Sequence, residues 1–411
     1  MEGLNQHPLT RFPDFRKLFL ARLISAVGDK FFTISLAWWV ISQDDATSKI
    51  HLGFLMAINI LPVVIFGPLL GPLVDRWDKK KCMLLADLFR GGIIACLAYF
   101  LLQDALTLPI VYVLCFCLSS FIPLFEAAVE SSLIKLTDEE SIGSAVAINA
   151  SVIEMSNILG ALLGSIFIAM VGITGAFIGN ALSFFVSFII ILLIKTSLVS
   201  EASSEDYTGQ IKEGFAYLVS QQAIFALLVI FAFFNFLVAP LILSVPLIVK
   251  YILKEGVQWV ALLEGCLALG TVLGAVFLSF RNDYKNIYQS IFTSLFLGGI
   301  LITLIGLTTS KLVVSGLFFC AGLVAAYVNT MSISIFQNAV PYEMKGRFFS
   351  LLSTTCFAVL PLAYIISGFL AQVYSVSLIL FASGIGSALL SFVVLKIPRV
   401  NSTNIDTKNQ M

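Results

Sequence analysis

The sequence predicts an all-α membrane protein of twelve transmembrane helices, on three observations: extreme apolarity, apolar runs of bilayer-spanning length, and basic residues concentrated in alternate loops. Hydrophobic residues make up 59% of the 411-residue chain and charged residues 12%, with a mean hydropathy of +1.00. That composition lies outside the range of soluble globular domains. The 24 basic and 24 acidic residues cancel, so no overall field points to nucleic acid as a partner.

About 20 apolar residues are needed to cross roughly 30 Å of hydrocarbon as a helix, and twelve such runs can be drawn. Spans 1 to 6 are predicted at Lys17–Ile41, Leu52–Val74, Cys82–Leu102, Leu108–Val129, Ala145–Val171 and Thr174–Ile194. Spans 7 to 12 follow at Ala223–Val249, Val257–Phe280, Ile287–Thr308, Leu312–Phe336, Phe348–Val373 and Ser375–Leu395. Lipid offers the backbone no hydrogen-bond partners, so runs of this length must be helical. The polar stretch before span 1 lacks the apolar centre and cleavage site of a signal peptide, so span 1 is expected to be retained.

Counting Lys17 at the membrane edge, the tails and connections 2/3, 4/5, 6/7, 8/9 and 10/11 hold 17 Lys and Arg, whereas the opposite loops hold four. The positive-inside rule then puts both termini in the cytoplasm of a cell whose inner membrane holds the chain. Trp38 and Trp39 fall at the outer end of span 1, where indoles favour the interface.

One long polar connection divides the spans six and six. The expected organisation is an N-terminal six-helix bundle over 1–195, a cytoplasmic linker with a short amphipathic helix over 196–222, a C-terminal six-helix bundle over 223–398, and a cytoplasmic tail over 399–411. A shift of about 204 residues lays Leu136-Thr137-Asp138-Glu139 on Val340-Pro341-Tyr342-Glu343 and brings spans 1, 3 and 5 onto 7, 9 and 11. Two related halves around a central path are a transporter layout.

Charges inside the spans carry the chemistry. Arg22, Ser25 and Asp29 fall at i, i+3 and i+7, one face of span 1. Facing lipid, Arg22 and Asp29 would each cost at least about 2.5 kcal/mol, so a mutual ion pair or an aqueous cavity is expected. Lys30 points away from Asp29, toward a carboxylate on another helix. Glu126 and Glu130 share a face near the end of span 4, Glu154 lies within span 5 and Glu264 within span 8. Glu130 is read as part of the solvated 4/5 loop. Asp29, Glu126, Glu154 and Glu264 are the candidates for proton coupling, because carboxylates sharing burial and repulsion can bind and release protons near neutral pH.

Other chemistries lack their residues. The two histidines, His7 and His51, stand near span ends, and the seven cysteines are scattered through apolar runs without paired spacing. No metal site and no cofactor are expected. No GxxxxGK[ST] loop is present to cradle nucleotide phosphates, which leaves an ion gradient as the energy source. No nucleophile and base stand at a recognisable spacing, so an enzyme is not expected.

Loop 2/3 carries the most specific signal. Gly71-Pro72-Leu73-Val74-Asp75-Arg76-Trp77-Asp78-Lys79-Lys80 resembles the GxLxDRxGRK signature of the major facilitator superfamily, with Asp78 in place of the second glycine. In that family the loop is a conformational latch, which the resemblance assigns to Gly71, Asp75, Arg76, Lys79 and Lys80.

Arg22 to Asp29, Glu213 to Leu218 and Pro341 to Arg347, with Glu343, Gly346 and Arg347, resemble the branch of macrolide efflux proteins and the enterobactin exporter. Gly160-Ala161-Leu162-Leu163-Gly164-Ser165 resembles the antiporter motif GPxxGG, with Ala161 and Ser165 departing from it. Gly160 and Gly164 keep the GxxxG spacing that permits close helix packing.

The resemblance implies alternating access and export, with protons returning down their gradient. The aromatic residues of the spans suit an apolar or amphipathic small molecule, and a monomer in the lipid bilayer is expected. Two further readings stay open: a lipid or lysolipid flippase, and a membrane sensor or assembly partner without flux.

Overall fold

The computed structural model describes residues 7–43, 46–199, 221–280, 287–340 and 345–397. Among these residues there is no strand, and twelve helices are long and apolar enough to cross a membrane. Spans 1 to 4 run Pro13–Ile41, Ser48–Arg76, Lys79–Leu102 and Leu108–Leu136, and spans 5 and 6 share the helical run Ile142–Leu192. Span 7 is Gln222–Leu247, span 8 Gln258–Ser279, span 9 Ile287–Leu307 and span 10 Lys311–Ala339. Span 11 consists of Lys345–Ala358 and Leu360–Val373, and span 12 is Val376–Val394. The predicted amphipathic helix, Glu343 and the tail 399–411 lie outside the described residues.

Local chemistry sets the breaks. Gly172 adopts φ 70° and ψ −173°, a conformation open to glycine, and there the chain turns from span 5 into span 6. Span 4 starts at Leu108 with Pro109 in its first turn and is interrupted at Phe121, after which Pro123 opens the second segment. Span 7 contains Pro240 and Pro246, which remove ladder donors, and its end passes into a π-helix over Ile248–Leu253.

The helices form two compact units. The first comprises residues 1–204 with 254–265, the second 205–253 with 266–411. In the first, span 1 packs on spans 5 and 6, span 3 on span 6, and span 2 on span 4. In the second, span 7 packs on spans 11 and 12, span 9 on span 12, and span 8 on span 10 at Gly270 and Gly322. The same pairings recur in each unit, as expected of a repeat.

Each unit has its own core. Phe15, Leu18, Met83, Phe125 and Leu133 are buried together in the first. Leu227, Phe231, Leu295, Met331, Phe336 and Phe348 are buried in the second, where the Phe336 ring centroid lies 5.9 Å from that of Phe231 and 5.1 Å from that of Phe348. Large apolar side chains such as Leu69, Val113, Met170, Phe277, Leu312 and Leu389 are exposed. An outward apolar surface of that extent suits lipid, not water.

Trp39, in the last turn of span 1, is buried among protein neighbours. Span 4 continues through Leu136, so Glu130 stands on a helix, where it is exposed, and not in the 4/5 loop.

Candidate functional site

Spans 1, 3 and 6 converge on Asp29. Arg90 Nη2, from span 3, donates to Asp29 Oδ2 at 2.6 Å, and Asn180 Nδ2, from span 6, donates to Asp29 Oδ1 at 3.1 Å. Ser183 Oγ donates to Asn180 Oδ1 at 3.0 Å, which orients the amide so that its nitrogen faces the carboxylate. The Arg90 guanidinium lies 4.3 Å from the centroid of Phe184, a cation–π arrangement that holds it while it pairs. Side-chain exposure is 8% for Arg90 and 31% for Asp29, so one end of the pair is enclosed and the other reachable.

One turn before Arg90, Asp87 is completely buried and accepts a 2.5 Å hydrogen bond from Ser187 Oγ of span 6. Neither Asp87 nor Arg90 was singled out from the sequence. The signal was present: two charges at i and i+3 within the predicted span Cys82–Leu102, the same pattern that marked Arg22 and Asp29.

The expected mutual pair of Arg22 and Asp29 does not form. The two stand seven residues apart on one helix, roughly 10 Å along its axis, and each finds a partner on another helix. Arg22, 6% exposed at its side chain, pairs with Glu126 of span 4 and donates to the side chain and backbone of Asn149 of span 5. Ser25 Oγ donates to the Arg22 carbonyl of its own helix. Glu154 is partly buried and makes no ion pair among the described residues. Lys30 and Glu264 are partly buried and within electrostatic reach of one another.

Gly160 and Gly164 form the floor under span 1. A Cβ at Gly160 would stand 2.5 Å from Lys30 Cβ, and one at Gly164 would stand 3.0 Å from Phe31 Cδ1. The two glycines therefore let spans 1 and 5 approach across the residues flanking Asp29.

In loop 2/3, Asp78 Oδ1 accepts from Lys80 N at 3.0 Å and caps span 3. Lys80 Nζ donates to the carbonyls of Leu192 and Ile194 at 2.9 and 2.7 Å, and Lys17 Nζ to that of Leu193 at 2.8 Å. Two ammonium groups thus meet the negative end of span 6. Lys79 is buried, Gly71 lies within span 2 and Arg76 is exposed. The side chains of Asp75 and Arg347 lie outside the described residues, while the backbones of Gly346 and Arg347 belong to the first turn of span 11.

An apolar cleft of about 520 Å³ opens between spans 1, 5 and 6, lined by Leu23, Val27, Phe31, Leu159, Phe167 and Leu182 among others. Phe31 and Phe167 stack in it with ring centroids 5.1 Å apart. Ser183, which holds Asn180 toward Asp29, also lines this cleft.

Macrolide efflux protein A of Streptococcus pyogenes is 22% identical to this chain over 404 residues, covering 94% of this chain and 96% of the relative. Macrolide efflux protein A of Enterococcus faecalis is 24% identical over 317 residues, covering 74% of this chain and 96% of the relative. The crystal structure of nucleoside transporter NupG superposes with a TM-score of 0.74 at 14% identity, covering 93% of this chain and 98% of that one. The sequence profile of the Major Facilitator Superfamily matches residues 18–363. With twelve helices among its described residues long and apolar enough to cross a membrane, this multi-pass membrane protein belongs to the Major Facilitator Superfamily of transporters.

Proposed function

We propose that the chain is a proton-coupled exporter of an amphipathic small molecule, such as a macrolide-like drug or a siderophore, working by alternating access. The observation that carries this reading is the cluster of Asp29, Arg90 and Asn180. A charge held within a membrane protein is costly and marks ion pathways, and Asp29 is the member of the pair that remains reachable. Its carboxylate ties spans 1, 3 and 6 together. A proton on Asp29 cancels the charge that holds Arg90, loosens that tie and lets the helices shift against one another. Glu126, Glu154 and Glu264 are further carboxylates through which protons could pass.

Export, rather than uptake, is supported by the likeness to the two macrolide efflux proteins. The excess of Lys and Arg on alternate loops supports an inner-membrane location with both termini cytoplasmic. The protein acts as a monomer, Gly71, Asp75, Arg76, Lys79 and Lys80 serve as the latch between states, and Glu343, Gly346 and Arg347 form the motif of the second half, in the connection that the repeat matches to 4/5.

The test is proton release from acid-loaded inverted membrane vesicles on addition of macrolides, catechol or citrate siderophores, or lysolipids, with Asp29→Asn as control. Release with one compound class that vanishes in Asp29→Asn supports the reading. Normal release by Asp29→Asn removes Asp29 from the mechanism, and silence across the panel with inserted protein removes proton-coupled export of these classes.

The apolar cleft between spans 1, 5 and 6 favours a second reading, a lipid or lysolipid flippase, because Leu182 on its rim is 58% exposed and open to the side. Transfer of labelled phospholipid between leaflets by reconstituted protein, without response to soluble compounds, would select it.

A further inference from the structure

We infer that Arg90 is a counter-ion shared by two carboxylates, Asp29 and Asp87, so that one is ionised while the other carries a proton, Asp87 being the protonated one in this conformation. The inference rests on the proton-coupled reading above and deepens it by naming a second proton-carrying group.

The geometry supplies one cation for two acids. Asp87 and Arg90 stand one turn apart on the same face of span 3, and Arg90 Nη2 is committed to Asp29 at 2.6 Å. Asp87 is fully enclosed: Oδ2 accepts from Ser187, and Oδ1 has no partner. Arg90 Nε is likewise buried without an acceptor, so the guanidinium has a donor to spare.

Among the described residues, the elements packed around this cluster bring no other counter-charge to Asp87. Span 6 contributes Ser187 to Asp87 itself and Asn180 to Asp29 of span 1, and span 4 contributes the ring of Phe125, 6.0 Å from the Arg90 guanidinium. The nearby Arg22 and Glu126 are paired with each other. An ionised Asp87 would therefore be a buried charge with one hydroxyl donor and no ion partner, a state that proteins avoid by keeping the acid neutral.

The switch balances. A proton binding Asp29 forms its O–H bond and breaks its ion pair with Arg90. The guanidinium then turns back along its own helix to Asp87, whose O–H bond breaks as its proton passes to water, so that one proton is taken up at Asp29 for each one released from Asp87. The states before proton uptake and after proton release each hold one guanidinium, one carboxylate and one neutral acid, so neither end state buries a net charge. Asp87 lies on the loop 2/3 side of Arg90, so the proton advances toward that end of the half.

The test is infrared spectroscopy of the full chain, purified and reconstituted in lipid at neutral pH, reading the C=O stretch of neutral carboxylic acids. We expect a neutral-acid band in wild type that is lost in Asp87→Asn, shifted to higher frequency in Ser187→Ala by the missing hydrogen bond, and lost in Asp29→Asn as Arg90 turns to Asp87. A wild type minus Asp87→Asn spectrum without that band, or a band kept at full amplitude in Asp29→Asn, overturns the inference. Should Asp87→Asn fail to fold, an unshifted spectrum in Ser187→Ala overturns it. The readout needs no cargo. Silent vesicles with these band changes would overturn the exporter reading alone, and coupled release without them would overturn the shared counter-ion alone.

Discussion

Gly28 of span 1 and Ser183 of span 6 touch with no room for a methyl group between them, and the same Ser183 steers the amide that Asn180 presents to Asp29. A Cβ at position 28 would also stand 2.6 Å from Asn180 Oδ1. Gly28→Ala should therefore cost about 1–3 kcal/mol through overpacking and lower proton-coupled transport by displacing Asn180. Gly92→Ala on the exposed side of span 3 meets nothing within 4 Å and should keep or slightly raise stability. Thermal unfolding of both purified variants in detergent checks the contrast. Equal losses would remove the packing argument.

Arg90→Ala should destabilise the protein by about 3 kcal/mol, the lower end for removing one partner of a buried pair. The discount reflects Asp29, whose side chain is 31% exposed and partly solvated. Arg90→Lys should recover only part of the loss, since an ammonium loses the planar stacking over Phe184. Asp29→Asn should be milder than Arg90→Ala, because it leaves an amide in place of the acid. Ranking the three midpoints of unfolding tests the order.

Arg22 and Glu126 join spans 1 and 4 in the same manner. A double-mutant cycle with Arg22→Ala and Glu126→Ala should show a coupling energy of about 0.5–3 kcal/mol. Additive losses would mean that the two charges are separated in the membrane.

Asp138, in the 4/5 connection outside the spans, accepts from Ser141 N at 2.8 Å and pairs with Arg11 at 2.7 Å. The Ser141 hydroxyl foremost, then the Ser141 backbone N–H and the charge of Arg11, hold its carboxyl below the usual range. A lowered folded-state value means the contribution is complete above the unfolded value, about pH 4, and is lost as pH falls through the folded one. The stability gap between wild type and Asp138→Ala should thus be constant at neutral pH and close as the solution is acidified. A gap that widens in acid would have the wrong sign.

Much of the fold was legible before any coordinates. Lipid imposes a length and an apolarity that a one-dimensional scan can see, and the turn between spans 5 and 6 falls at Gly172, between the predicted ends Val171 and Thr174. The predicted end of span 4 at Val129 fell short of Leu136 because Glu130 reads as polar in sequence, while a helix carries an exposed carboxylate without interruption.

The sequence by itself determined that this chain crosses a membrane twelve times, that its halves repeat, and that Arg22, Asp29 and the carboxylates of spans 4, 5 and 8 carry charge where charge is costly. Tertiary structure alone decided which charges meet. Arg22 and Asp29 share a helical face yet stand two turns apart, so each pairs across a helix boundary, with Glu126 and Arg90. Helical periodicity places a side chain on a face. Only the packing of spans 1, 3, 4 and 6 sets which face it meets, and electrostatic energy depends on that distance.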